Sequence, residues 1–63
     1  MEFETYLISK KIDALAFKVN DIELFSTWLY EFSQLHEASF TDQKRFQINR
    51  IRRKYLLNSE INQ

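Results

Sequence analysis

The sequence predicts an all-α domain, a small three-helix bundle with one short extra helical turn. Three observations carry this. The chain has no glycine and no proline. Without glycine the positive-φ turns of tight hairpins are costly, and without either residue nothing in the backbone chemistry breaks a helix. Apolar residues recur at three- and four-residue spacing through most of the length, as one face of a helix requires. Asp, Asn and Ser stand where those runs begin, where a side-chain oxygen caps free amides. Turns are therefore expected at Asn, Asp and Ser.

The first helix is expected over 2–11. Phe3, Tyr6, Leu7 and Lys10 share one side, opposite Glu2, Thr5 and Ser9. Ile12–Asp13 reads as a junction, with Asp13 capping a short helical segment over 14–19. A single helix over 2–19 is the alternative, since Asp inside a helix costs only about a few tenths of a kcal/mol. Asn20 opens an N-x-x-E pattern with Glu23, a relative of the capping box, and the helix after it is expected over 21–36. On that helix Ile22, Leu24, Phe25, Trp28, Leu29, Phe32 and Leu35 fall within an arc of about 160° at ~100° per residue. Such an arc can meet two neighbours. Glu37–Ala38 is then a tight turn. Ser39, in the S-x-x-D pattern ending at Asp42, is expected to cap a last helix over 40–57. Asn58 is a tolerable left-handed terminator. The domain is expected to occupy residues 1–58, with 59–63 a frayed tail.

At 63 residues the chain is one small domain, of a size that is marginal when folded alone. It has no cysteine for disulfides or zinc thiolates and a single histidine, His36. Six Phe, three Tyr and one Trp supply the apolar mass instead. The expected core is Phe3, Leu7, Ile12, Leu15, Phe17, Leu24, Phe25, Trp28, Leu29, Phe32, Leu35, Phe40, Ile48, Ile51 and Tyr55. Glu2 and Glu4 stand where a secretory signal would want positive charge. No apolar run approaches the ~20 residues of a membrane span. A cytoplasmic location is the expectation.

Charge is divided. Residues 1–39 hold seven acids and three bases, and residues 40–63 hold six bases and two acids, for a net charge of zero. The run QKRFQINRIRRKYLL at 43–57 contains all six of those bases and no acid. On a helix with Phe40 at the origin, Ile51, Tyr55 and Ile48 fall at ~20°, ~60° and ~80°, forming one buried stripe. Arg52 and Arg45 fall at ~120° and ~140°, and Arg53, Arg50 and Lys54 at ~220°, ~280° and ~320°. Lys44 falls inside the stripe, where it would snorkel or pair with an acid from an earlier helix. The bases thus encircle the helix and crowd its C-terminal half, where they complement the helix dipole. A recognition helix would instead project its contacts chiefly from the N-terminal end, and the pI near 6.6 is far from the ~9 typical of nucleic-acid binders. Structural or protein-contact arginines are the preferred reading.

Other chemistry is weakly supported. His36 is expected to sit at a helix C-terminus, donating to free carbonyls, rather than to act as a base or metal ligand. Glu2 with Glu4, and Asp21 with Glu23, are spaced so that each pair lies on different helix faces. No serine has a nucleophile-elbow context, and a glycine-free chain has no phosphate loop. Trp28 with Phe25, Leu29 and Phe32 reads as core rather than as a ligand box.

Three segments, YLISKKID at 6–13, LF..W...F..LH at 24–36 and SFT.QK..QIN.IRRKY at 39–55, together resemble a small bacterial family of uncharacterised helical proteins with no established activity. The resemblance covers about Tyr6 to Leu57. It implies a free-standing cytoplasmic protein and supplies no functional residue. The function expected is a non-enzymatic protein-interaction module, self-associating or bound to another protein, without cofactor, metal, membrane or small-molecule substrate. The motivation is an aromatic surplus, with Tyr30, Phe46, Leu56 and Leu57 off the main stripes. The alternative is a nucleic-acid-binding domain. In either case the candidate surface is Arg45, Arg50, Arg52, Arg53 and Lys54.

Overall fold

Asp13 divides the first nineteen residues into two helices. Its side chain accepts from the Ala16 amide at 3.1 Å, capping the start of the second helix. The computed structural model describes residues 1–57, so the expectations for Asn58 and for 59–63 lie outside the described residues. Those described form α1 (Phe3–Ser9), α2 (Ala14–Asn20), α3 (Ile22–Gln34), α4 (Glu37–Gln43) and α5 (Arg45–Lys54). The fold is all-helical, with five helices where three and a turn were expected. No helix among the described residues is long and apolar enough to cross a membrane.

The turn after α1 differs from the expectation that Asn, Asp or Ser would make it. Lys11 takes φ 67°, a left-handed conformation that ordinarily favours glycine. The Ile12 amide donates to the Leu7 carbonyl at 3.0 Å and the Lys11 amide to the Ile8 carbonyl at 2.9 Å. These are the two hydrogen bonds of a Schellman motif. Leu7 and Ile12, the apolar pair that accompanies such a motif, are both fully buried. Burial of that pair offsets the backbone strain at Lys11.

Two caps also differ. Asn20 ends α2 instead of opening α3, and its side-chain amide donates to the Ala16 carbonyl at 2.9 Å. Ser39 lies inside α4, which starts three residues early because His36 caps it. His36 Nδ1 accepts from the Ala38 amide at 3.2 Å. The imidazole therefore opens a helix and accepts, where a C-terminal donor was expected. Leu35 and His36, both extended, make the link from α3.

The expected helix over 40–57 ends at Lys54 and is interrupted at Lys44. The Lys44 amide still donates to the Phe40 carbonyl, and the Lys44 carbonyl accepts from the Ile48 amide, at 2.9 and 2.7 Å. The interruption is a bend, not a loop. Lys44 Nζ lies 2.7 Å from Glu31 Oε1 on α3 and 6.0 Å from the centre of the Trp28 ring. Glu31 Oε1 is buried without an aligned hydrogen bond, so the contact is a Coulombic pair.

The core is largely aromatic. Phe40 is fully buried and meets the rings of Phe3, Tyr6, Trp28 and Phe32 at 5.4–6.2 Å. Three of those four contacts have interplanar angles of 81–88° between centroids under 6 Å, the edge-to-face geometry that ring quadrupoles favour. Phe17 joins Phe25, Trp28 and Tyr55 on the other side. Tyr6, absent from the expected core, is fully buried, and its hydroxyl shares a 2.6 Å hydrogen bond with Thr41. Burial raises its pKa, partly opposed by that hydrogen bond and helped by the charge of Glu37.

Leu15, Leu24 and Leu29, expected in the core, are exposed. Leu15 is two residues from Phe17, so on a helix the two point about 200° apart and cannot both face one core. On α3 only the centre of the apolar arc is covered. Trp28 and Phe25 are buried, Phe32 and Leu35 partly so, while Leu24 at one edge and Leu29 and Ile22 at the other remain exposed.

Candidate functional site

The five candidate bases do not share one surface. Arg45 pairs with Asp42 one turn back, at 3.1 Å in the open. Arg52 turns inward: its Nε donates to the Lys10 carbonyl at 2.8 Å and its Nη1 to Asn49 Oδ1 at 3.0 Å. Beside it the Asp13 amide donates to the Tyr55 carbonyl at 2.7 Å, and the Leu57 amide to the Lys11 carbonyl at 3.0 Å. Ile12 and Leu56 form an isolated antiparallel bridge there. Arg52 thus fastens the end of α5 to the α1–α2 junction.

Lys54 is held by Asp21, at 3.2 Å, and the Tyr55 hydroxyl donates to the same carboxylate oxygen at 2.7 Å. These hydrogen bonds, Tyr55 first and Lys54 second, hold the Asp21 carboxyl below the usual carboxylate range. The same contact raises the pKa of Tyr55 and of Lys54. Asp21 stands at the N-cap position of α3 without capping it, because its side chain is spent on α5's end. The bases that cross to acids of the first 39 residues are therefore the lysines, Lys44 to Glu31 and Lys54 to Asp21.

Arg50 and Arg53 remain. Both are exposed, and neither has an ion pair or side-chain hydrogen bond among the described residues. They are three apart on one helix, hence neighbours. Phe46, the most exposed large apolar residue at 76 %, lies one turn before Arg50 on the same side. Arg50 also borders a groove of about 370 Å³ between α3 and α5, lined by Leu24, Trp28 and Ile51, with Gln47, Lys54 and Asp21 along its length. That volume is within the range of small binding clefts, roughly 300–1,000 Å³.

A second groove, of about 400 Å³, runs along the other edge of α3. Phe3 and Phe25 floor it, Ile22 and Leu29 flank it, and Glu2, Glu4 and Lys18 stand at its margin. Lys18 lies 3.9 Å from Glu4. Beyond Leu29 it meets a hollow of about 530 Å³ reaching Met1, Leu35 and His36. Among the described residues no three His, Cys, Asp or Glu side chains gather so as to hold a metal ion.

Compared with protein-family models, curated proteins and solved structures, the chain matches none.

Of the five candidate bases, Arg50 and Lys54 line the α3–α5 groove and none lines the groove on the other edge of α3; neither groove was itself foreseen. The signal was the width of the apolar arc on α3. That arc is wider than the core covers, and the surplus at each edge lines a groove. Arg50 was legible as lying off the buried stripe, but its lack of a partner was not.

Proposed function

We propose that the chain is a non-enzymatic protein-interaction module. Its bundle is read as three main arms, α1, α3 and the bent α4–α5, with α2 as the extra turn. The observation that carries this reading is the apolar surplus on α3. Ile22 and Leu29 on one edge and Leu24 on the other are exposed beside apolar grooves, and Leu15, Val19 and Phe46 are at least 70 % exposed elsewhere. Grouped exposed apolar side chains on a small domain are the usual mark of a contact surface. The nucleic-acid reading has less support, because Arg45, Arg52 and Lys54 are each engaged by the chain itself and leave two bases rather than a phosphate track.

Sedimentation velocity across micromolar concentrations, with affinity capture from lysate, tests this. Concentration-dependent association, or a retained protein partner lost on Leu29→Asp, is expected. A strictly monomeric chain that captures no protein and binds no apolar dye would contradict the reading.

A further inference from the structure

We propose that the α3–α5 groove takes an acidic, apolar-anchored peptide segment of a partner protein, with one apolar side chain on Leu24, Trp28 and Ile51 and its carboxylates on Arg50 and Arg53. The inference rests on the interaction-module reading and names the partner's chemistry. Charge complementarity decides the occupant. Lys44, Arg45, Arg52 and Lys54 are each met by a carboxylate or carbonyl of the chain, while Arg50 and Arg53 have no such partner among the described residues. No residue of α5 is acidic, and the one carboxylate on the groove, Asp21, is already held by Lys54 and Tyr55. An approaching carboxylate therefore meets the unsatisfied guanidinium of Arg50 at the groove, and that of Arg53 three residues on along the same helix; planar guanidinium forks bind carboxylates in pairs of hydrogen bonds.

The apolar floor favours a peptide over a nucleic acid. Leu24 and Ile51 offer no stacking plane, Trp28 is 2 % exposed and presents little ring face, and two bases give a short electrostatic track. A second copy docked through the same face is disfavoured, since the one carboxylate it would bring, Asp21, is already held by Lys54 and Tyr55 and leaves Arg50 and Arg53 unmatched. Phe and Arg are also residue types enriched in the cores of protein interfaces.

Trp28 is the single tryptophan, so its emission reports on the groove. The probe is a synthetic amphipathic peptide carrying leucine on one face and glutamate on the other, with a glutamine-for-glutamate control, titrated into the full chain at low salt. We expect a saturable change in Trp28 emission, weakened about tenfold by Arg50→Glu and by the neutral peptide, and falling with added salt. Backbone amide shifts should map to α3 and α5, and circular dichroism should show that the variant stays folded. No binding of the acidic peptide, equal binding of the neutral one, or unchanged affinity in a folded Arg50→Glu overturns the proposal. So does a single-stranded oligonucleotide that displaces the peptide at lower concentration than the peptide binds. Sedimentation separates the two failures. A chain that associates or captures a protein yet ignores the peptide loses the groove assignment alone, and one that does neither loses the module reading as well.

Discussion

One side of α5 and the residues that follow it are fastened to the α1–α2 junction by three hydrogen bonds, made by Arg52 to Lys10, Asp13 to Tyr55 and Leu57 to Lys11. The other side carries Phe46, Arg50 and Arg53, whose side chains meet no hydrogen-bonding or charged partner among the described residues. The same short helix supplies both, from bases that look alike in the sequence. What separates them is angle around the helix and what lies opposite. Arg52 faces a helix end, where carbonyls lack intrahelical partners. Arg50 and Arg53 face solvent, Arg50 at the rim of an apolar groove. A basic run is therefore not one functional unit, and each base must be assigned by what it touches.

The fastened side should respond strongly to substitution and the open side weakly. Ile12→Ala removes the buried half of the Schellman contact and should cost about 2–5 kcal/mol in chemical denaturation. Phe46→Ala on the open side should stay within about 0.5 kcal/mol. Equal losses would erase the distinction.

Lys44→Ala should cost about 1–2 kcal/mol, because it leaves the buried Glu31 oxygen without its cation. The same measurement should show that Glu31→Gln costs less, since the amide oxygen can still accept from the Lys44 ammonium.

The clasp at Asp21 gives a pH dependence. Its carboxyl pKa is depressed in the fold, so its contribution is present above the unfolded value of about 4 and is lost as pH falls through the depressed one. Tyr55 and Lys54 are raised, so theirs is present below their unfolded values of about 10 and is lost as pH rises through the raised ones. Thermal midpoints should form a plateau between about pH 4 and about pH 10, and Asp21→Asn should flatten its acid limb. An acid limb unchanged in Asp21→Asn would place that sensitivity elsewhere.

One small expected effect is a gain. Glycine adopts the φ of 67° found at Lys11 without a Cβ clash. Lys11→Gly should therefore stabilise by about 0.5–1 kcal/mol. A loss would mean that the Lys11 side chain contributes more than its backbone costs.

Much of the fold was legible in the sequence, and the failures have physical reasons. The all-helical class followed from the missing glycine and proline, and the break at Asp13 from a side chain able to cap. The Lys11 turn was not legible, because the strain it carries is offset by Leu7 and Ile12, which no local signal pairs. Lys44 was read as inside the stripe and able to pair with an acid of an earlier helix, which Glu31 on α3 supplies, but the bend there carries no breaker residue and was not legible. His36 was read as the end of one helix when it begins the next, since imidazole can donate or accept. Of the five candidate bases, periodicity placed Arg50 and Arg53 off the buried stripe. It could not show that Arg52 reaches the carbonyl of Lys10, a contact spanning 42 residues.

The division of the arginines is tested most directly by one pair of denaturation curves. Arg52→Ala, which leaves the Lys10 carbonyl without its donor, should lower stability by about 1–2 kcal/mol. The double variant Arg50→Ala, Arg53→Ala should match the parent within about 0.5 kcal/mol. A double variant that loses as much as Arg52→Ala would show that all three arginines hold the fold, and that none is left for a partner.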